Sequence, residues 1–77
     1  MAEYVFSVIL EPQKDGGYTV LVPALPEVVT EGDTEEEALR MAEEAIRAIL
    51  EYRRDRGLPL PSDTPPAIRK VTVASAP

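Results

Sequence analysis

The 14 acidic side chains are the main candidates for catalysis or metal binding in this sequence, because it contains neither His nor Cys. Without these two residue types, a Ser-His or Cys-His nucleophile pair cannot be assembled, and the commonest general base at neutral pH is missing. Carboxylates could still hold the metal ions of a nuclease, but such a site needs acids within the strands. The first apolar run, residues 4–10, has Ser7 as its sole polar side chain. The pattern therefore predicts a protein that is not an enzyme and has no metal or cofactor.

The acids give the sequence a formal net charge of -6 at pH 7, and they are concentrated in its front half. Residues 1–33 contain Lys14 as their only basic residue, whereas residues 57–77 contain Asp63 as their only acid. Binding to a phosphate backbone depends on clustered Lys and Arg, so direct nucleic-acid binding is not expected. An acidic surface serves either solubility alone or the attraction of a basic protein partner.

Three short apolar runs predict three strands in the front half. Residues 4–11 and 18–23 are rich in β-branched and aromatic side chains, and Asp15-Gly16-Gly17 between them is typical of a hairpin turn. A third run, residues 27–30, follows a connection with two prolines, which cannot donate hydrogen bonds to a ladder. The pattern predicts an antiparallel sheet of three strands.

Alternation along these strands leaves both faces of the sheet partly apolar. Val8 and Val20 fall on one face, and Val5, Ile9 and Leu21 fall on the other. A single helix covers only one face of a small sheet, so the second face calls for another subunit or a partner. Scattered surface aliphatics are also common and need no cover. From these two possibilities, we take Val5, Ile9 and Leu21 as a candidate oligomer interface.

One long helix is predicted after the sheet, with signals at both of its ends. Thr34 is a suitable N-cap, and Glu37 three residues later completes a capping box. Gly57 and Pro59 end the segment. Apolar residues inside it recur at intervals of three and four, which indicates one buried stripe. The stripe consists of Ala38, Leu39, Ala42, Ala45, Ile46, Ile49 and Leu50.

The chain after Gly57 is first rich in proline and then in β-branched residues. Residues 58–66 are expected to be extended, because each proline disfavours a helical conformation of the residue before it. In residues 68–74, Val71 and Val73 alternate with Thr72, which predicts a further strand. The fold class is therefore α+β in the order β-β-β-α-β, with the helix packed on one face of a three-stranded antiparallel sheet.

Length and composition set the remaining expectations. A chain of 77 residues is expected to form one domain, residues 1–77, whose thin core favours self-association. No apolar run reaches the roughly 20 residues that span a bilayer, and the N-terminus lacks signal-peptide features, so we expect a cytoplasmic protein without membrane contact. The sequence has no Asn, and Gln13 is its only Gln, which suggests a thermophilic source. A melting temperature tests that hypothesis.

Four segments follow one another in a specific order. They are Gly16-Gly17-Tyr18-Thr19-Val20, Val22-Pro23-Ala24-Leu25-Pro26, Thr30-Glu31-Gly32-Asp33-Thr34-Glu35-Glu36-Glu37-Ala38 and Glu44-Ala45-Ile46. Together with residues 57–61, these segments resemble the HicB family of antitoxins, and the similarity covers most of the chain. Ala24 stands where the family commonly has an acid, and Glu27-Val28 stands where Gly-Cys is usual.

The resemblance implies the same order of strands and helix, in an architecture akin to a degenerate ribonuclease H fold without its active site. It also implies a protein that binds and masks a small basic RNA-cleaving toxin, a HicA-like partner in a type II toxin-antitoxin pair. Many family members carry a C-terminal DNA-binding domain, which we do not expect within this single HicB-like domain. Gly32 is expected to permit a tight turn, and Asp33 and Thr34 are expected to cap the helix.

Acids outside the helix cap are the candidate contacts for such a toxin: Glu11, Asp15, Glu27 and Glu31. The leading hypothesis is an antitoxin-like protein that forms a homodimer or homotetramer. The alternative is a stand-alone oligomeric interaction domain with no toxin partner, and a small basic reading frame beside the gene distinguishes the two. A divergent nuclease comes third, and cleavage of RNA by the purified protein with Mg²⁺ would revive it.

Overall fold

A computed structural model of the chain describes residues 2–77. The elements are β1 (Ile9–Pro12), β2 (Tyr18–Leu21), β3 (Val29–Gly32) and α1 (Glu35–Asp55). The strands form one antiparallel sheet in the order β1-β2-β3. The predicted three-stranded sheet followed by one helix is confirmed, and the fold is α+β.

The turn between β1 and β2 depends on two glycines. The backbone N–H of Gly16 donates to the carbonyl of Gln13 at 3.1 Å, and the N–H of Gln13 donates to the carbonyl of Gly17 at 2.9 Å. Gly16 and Gly17 have φ angles of 97° and 80°, which residues with a Cβ atom disfavour. The predicted hairpin is confirmed, and its register places Ile9 opposite Leu21.

The first two strands are shorter than the apolar runs that predict them. β1 begins at Ile9, and residues 4–8 before it belong to no strand. If the register of the hairpin continued, Ser7 would face Pro23, which has no N–H to donate. The ladder therefore ends at Ile9 and Leu21.

Two consecutive turns connect β2 to β3. The N–H of Leu25 donates to the carbonyl of Val22, and the N–H of Val28 donates to the carbonyl of Leu25, both at 2.9 Å. This spacing of three brings the side chains of Val22, Leu25 and Val28 together in one buried cluster. As a result, β3 begins at Val29, two residues later than the sequence pattern predicts.

Both ends of α1 are capped as predicted. The hydroxyl of Thr34 accepts a hydrogen bond from the backbone N–H of Glu37 at 3.1 Å. At the other end, Gly57 has a φ of 67°, and the N–H of Leu58 bonds back to the carbonyl of Arg53 at 2.8 Å. This glycine-dependent arrangement satisfies carbonyls that the end of a helix leaves free.

Small residues bring α1 close to the sheet. Val20 of β2 is fully buried and forms one cluster with Ala38 and Ala42 of α1. A Cβ atom on Gly32 would lie 2.6 Å from the Cα atom of Ala38. Gly32 therefore allows close contact between β3 and α1, whereas the sequence pattern predicts that it permits a tight turn. In the predicted stripe, Leu39 is 45% exposed, so that one end of the stripe stays open to solvent.

Residues 58–66, here called the strap, run from the end of α1 to the segment before β1. Asp63 of the strap accepts two hydrogen bonds from Ser7, one from its N–H at 2.7 Å and one from its hydroxyl at 2.8 Å. The bond from the backbone N–H of Ser7, followed by the bond from its hydroxyl, holds the pKa of the Asp63 carboxyl below its ordinary value of 3.8. The strap is thus attached to the segment before β1 through Ser7.

Acid is expected to release this attachment. Because the pKa of Asp63 is lower in the folded state, its contribution to stability is present above pH 3.8 and is lost as the pH falls through the folded-state pKa. The chemical shift of the Ser7 amide proton, followed by NMR, should therefore titrate with a midpoint below pH 3.8. The Asp63→Asn variant is the control and should show no such titration. A midpoint at or above pH 3.8 in the original protein would contradict the contact.

The further strand predicted at residues 68–74 is not confirmed. No strand pairs with this segment in the part of the chain that the structure describes. The side chains of residues 64–77 are all exposed. The segment therefore has the composition of a strand but lacks a strand beside it.

Candidate functional site

One face of the sheet points away from α1 and is here called the outer face. Val20 of β2 projects toward α1, so that the adjacent Leu21 projects to the outer face. The register places Ile9 of β1 and Val29 of β3 directly beside Leu21. These three residues form an apolar row that crosses all three strands.

The apolar row includes two of the three residues that the sequence predicts as an oligomer interface. Ile9 and Leu21 are half-buried neighbours, whereas Val5, which is 83% exposed, precedes β1 and lies beyond the row. Val29, 64% exposed, is the member that the sequence pattern misses. Its position depends on where β3 begins, and that depends on the turns before it. The interface role of Val5, Ile9 and Leu21 stays a prediction.

A second row on the outer face is acidic. Thr19 of β2 lies between Glu11 of β1 and Glu31 of β3 in the same register. Both glutamates are exposed, and neither forms an ion pair within residues 2–77. The structure thus brings two of the four predicted toxin contacts to one place, where both negative charges face solvent.

The other two predicted contacts, Asp15 and Glu27, lie elsewhere. Asp15 is exposed in the turn between β1 and β2, just beyond the strand that carries Glu11. Glu27 lies between β2 and β3, where its carboxylate accepts a hydrogen bond from Arg53 of α1 at 2.9 Å. A hydrogen bond from its own backbone N–H, and then the one from Arg53, hold the pKa of Glu27 below its ordinary value of 4.5. The charge of Glu27 is already balanced by Arg53. Glu11, Asp15 and Glu31 form no ion pair within residues 2–77, so their charges are available to a partner.

Neither a metal-binding cluster nor a membrane-spanning helix is found among residues 2–77. No group of three or more acidic side chains in this part of the chain is arranged to hold a metal ion. No helix there combines the length and the apolar character that crossing a bilayer requires.

The fold and the outer face define a small α+β domain whose sheet exposes an apolar row and an acidic row side by side. A family model described as the HicB-like antitoxin of bacterial toxin-antitoxin systems matches residues 6–74. The match covers every strand, the helix, the strap and most of the residues after it. The chain belongs to this HicB-like antitoxin family.

Individual relatives agree with the family match. The chain is 45% identical over 58 residues to Antitoxin HicB 1 of Photorhabdus laumondii, an alignment that covers 73% of this chain and 37% of that protein. It is 43% identical over 58 residues to a UPF0150 protein of Thermoplasma acidophilum, with 75% and 84% covered. It is 37% identical over 62 residues to Antitoxin HicB 2 of P. laumondii, with 78% and 45% covered. The alignment therefore spans less than half the length of either named antitoxin.

Proposed function

We propose that this chain is an antitoxin that binds and masks a small basic RNA-cleaving toxin, HicA-like in character, of a type II toxin-antitoxin pair. It acts by covering the partner's surface and performs no catalysis of its own. The protein works in the cytoplasm, where such a toxin meets RNA. It makes no direct contact with nucleic acid through residues 1–77.

The acidic row is the observation that carries this proposal beyond family membership. Glu11 and Glu31 flank Thr19 on an open sheet face, with Asp15 at the adjoining turn. A protein that cleaves RNA needs cations along its substrate path, because RNA is a chain of phosphates. The carboxylates of the acidic row can bind those cations in place of RNA phosphates. This binding attracts the toxin and also blocks the path of its RNA substrate.

The apolar row beside the acidic row is the proposed contact between copies of the chain. Ile9, Leu21 and Val29 form a continuous patch beside the acids. Protein interfaces combine an apolar centre with a polar rim, and this arrangement brings the two together within one sheet face. Burial of the apolar row, with Val5 nearby, joins copies of the chain into a homodimer or homotetramer.

Co-expression with the reading frame beside the gene tests the proposed function. A tagged copy of this chain is expected to retain a small basic protein encoded there, and the amount retained should fall as salt is added, because salt screens exposed charges. A neighbouring protein that is folded and expressed but is not retained at low salt would contradict the proposal.

A stand-alone oligomeric interaction domain is the second candidate. One observation favours it: the aligned region covers 84% of a UPF0150 protein, whose name states no toxin, but only 37% of Antitoxin HicB 1. Absence of any small basic reading frame beside the gene, combined with stable self-association, would support this candidate over the antitoxin.

A further inference from the structure

Residues 67–77, here called the arm, project from the rest of the chain. Ile68, Val71 and Val73 are 84%, 83% and 78% exposed, and no backbone hydrogen bond joins the arm to any other part of residues 2–77. The radius of gyration is 15.7 Å, against about 11 Å for a compact domain of this length. An exposed β-branched segment with free backbone groups is suited to pair with the edge of a sheet.

A groove on the helix side of the sheet is open, and an apolar extended segment could fill it. It has a volume of about 1110 Å³ and lies between the segment before β1 and α1. Apolar side chains line it from both: Tyr4, Phe6, Val8, Leu39, Ile46 and Leu50. Leu39 and Tyr4 are 45% and 44% exposed because nothing within residues 2–77 fills the groove. Its composition suits the insertion of aliphatic side chains.

The edge of the sheet beside this groove is open. β1 is an edge strand, because its only ladder within residues 2–77 is with β2. In the segment before β1, residues 4–8, the backbone N–H of Ser7 donates to the Asp63 carboxylate. No other backbone N–H of this segment donates a hydrogen bond within residues 2–77. An extended segment placed along this edge would gain backbone hydrogen bonds and cover the groove at the same time.

The strap directs the arm away from the groove of its own chain. Phe6 and Val8 pack against the buried clusters on the helix side, so the Ser7 side chain between them projects to the opposite side, and Asp63 contacts it there, away from the groove. Pro65 and Pro66 then keep the chain extended, because each disfavours a turn at the residue before it. To enter its own groove, the arm would have to reverse around the sheet edge within this stiff stretch. Such a connection favours exchange between copies.

Charge supports the same pairing. The arm carries Arg69 and Lys70 and no acid, whereas the chain as a whole has a net charge of -6. Glu3, Glu43 and Glu51 line the groove together with Arg47 and Arg54, and Glu43 pairs with Arg47. An arm that enters the groove of a second copy therefore brings two cations to a chain that is acidic as a whole.

We infer that the arm of one copy lies in the groove of a second copy, where residues 68–74 extend the sheet beside β1 and the segment before it. Val71 and Val73 point toward α1 of the second copy, and Thr72 points to solvent. The exchange is reciprocal and produces a dimer, and it supplies the fourth strand that the single chain lacks. It does not depend on toxin binding.

Molar mass by light scattering tests the exchange. The measurement uses the Val29→Lys background, in which pairing through the apolar row of the outer face is blocked. This variant is expected to remain a dimer, and adding Val71→Asp and Val73→Asp should weaken the dimer at least about 100-fold, because two buried valines are replaced by charges. Thr72→Asp is the matched control and should leave the mass unchanged. Circular dichroism should show the same helix content in all variants, since the arm is exposed in the single chain.

Cross-linking locates the arm, because the chain has no Cys of its own. A Val71→Cys variant is mixed with a Leu39→Cys variant and treated with a short bis-maleimide. The arm in the groove predicts a cross-link between the two variants, and Lys14→Cys in place of Leu39→Cys should give none. A monomeric protein, a dimer that resists the paired Asp substitutions, or cross-links only between two Val71→Cys arms would each overturn the exchange.

Discussion

Replacing Gly32 with Ala is expected to destabilise the fold by about 3 kcal/mol or more, because the new methyl group has no space. A Cβ atom at this position would lie 2.6 Å from the Cα atom of Ala38 and 2.9 Å from the carbonyl carbon of Glu37. Both are helix backbone atoms, which cannot move without displacing α1 from β3. A domain of this size has a total stability of roughly 4 to 12 kcal/mol, so the loss is a large part of it.

Urea unfolding measures this loss, and Gly57→Ala is the matched control. Position 57 also favours glycine, since its φ is 67°, but a Cβ atom there would meet nothing within 4 Å. Its replacement is expected to cost about 1 to 2 kcal/mol, from backbone conformation alone. If Gly32→Ala were no more destabilising than Gly57→Ala, the close packing of β3 on α1 would be contradicted.

Reversing the charge of Glu11 and Glu31 together is expected to slow association with the toxin at least about tenfold at low salt. The two side chains flank Thr19 on the outer face, so their replacement by Lys turns an attractive patch into a repulsive one. Stopped-flow or surface-plasmon measurements at several salt concentrations give the rate. The difference from the original protein should shrink as salt is added, because exposed charges are then screened.

The control for this experiment has the same change in net charge at a different place. Glu44→Lys combined with Asp55→Lys alters two exposed acids of α1, away from the outer face. It should slow association much less than Glu11→Lys with Glu31→Lys. Equal effects of the two double variants would show that the toxin responds to net charge and not to the acidic row.

Local signals predict the helix and the hairpin well. Thr34 and Gly57 mark the ends of α1 because capping involves neighbours in the sequence, and the Gly16-Gly17 pair marks the turn for the same reason. Strand ends are less predictable, because they depend on pairing. The β1 ladder stops where Pro23 would enter it, and β3 is displaced by the turns through Val28.

The candidate site depends still more on contacts between distant residues. Ser7 and Asp63 are 56 positions apart, and the residues next to either of them in the sequence do not predict their hydrogen bonds. Glu11 and Glu31 can be named from charge alone, but only the register shows that they share a row while Glu27 pairs with Arg53. The segment 68–74 has the pattern of a strand, yet a pattern does not reveal which sheet the strand joins.

Masking of the toxin is tested most directly by RNA cleavage in the presence of rising amounts of this chain. The toxin is the small basic protein recovered by co-expression, and the substrate is a labelled RNA that it cleaves. Cleavage is predicted to fall to background when the chain reaches a molar amount equal to that of the toxin. Cleavage that continues undiminished under a large molar excess of folded chain would contradict a masking function.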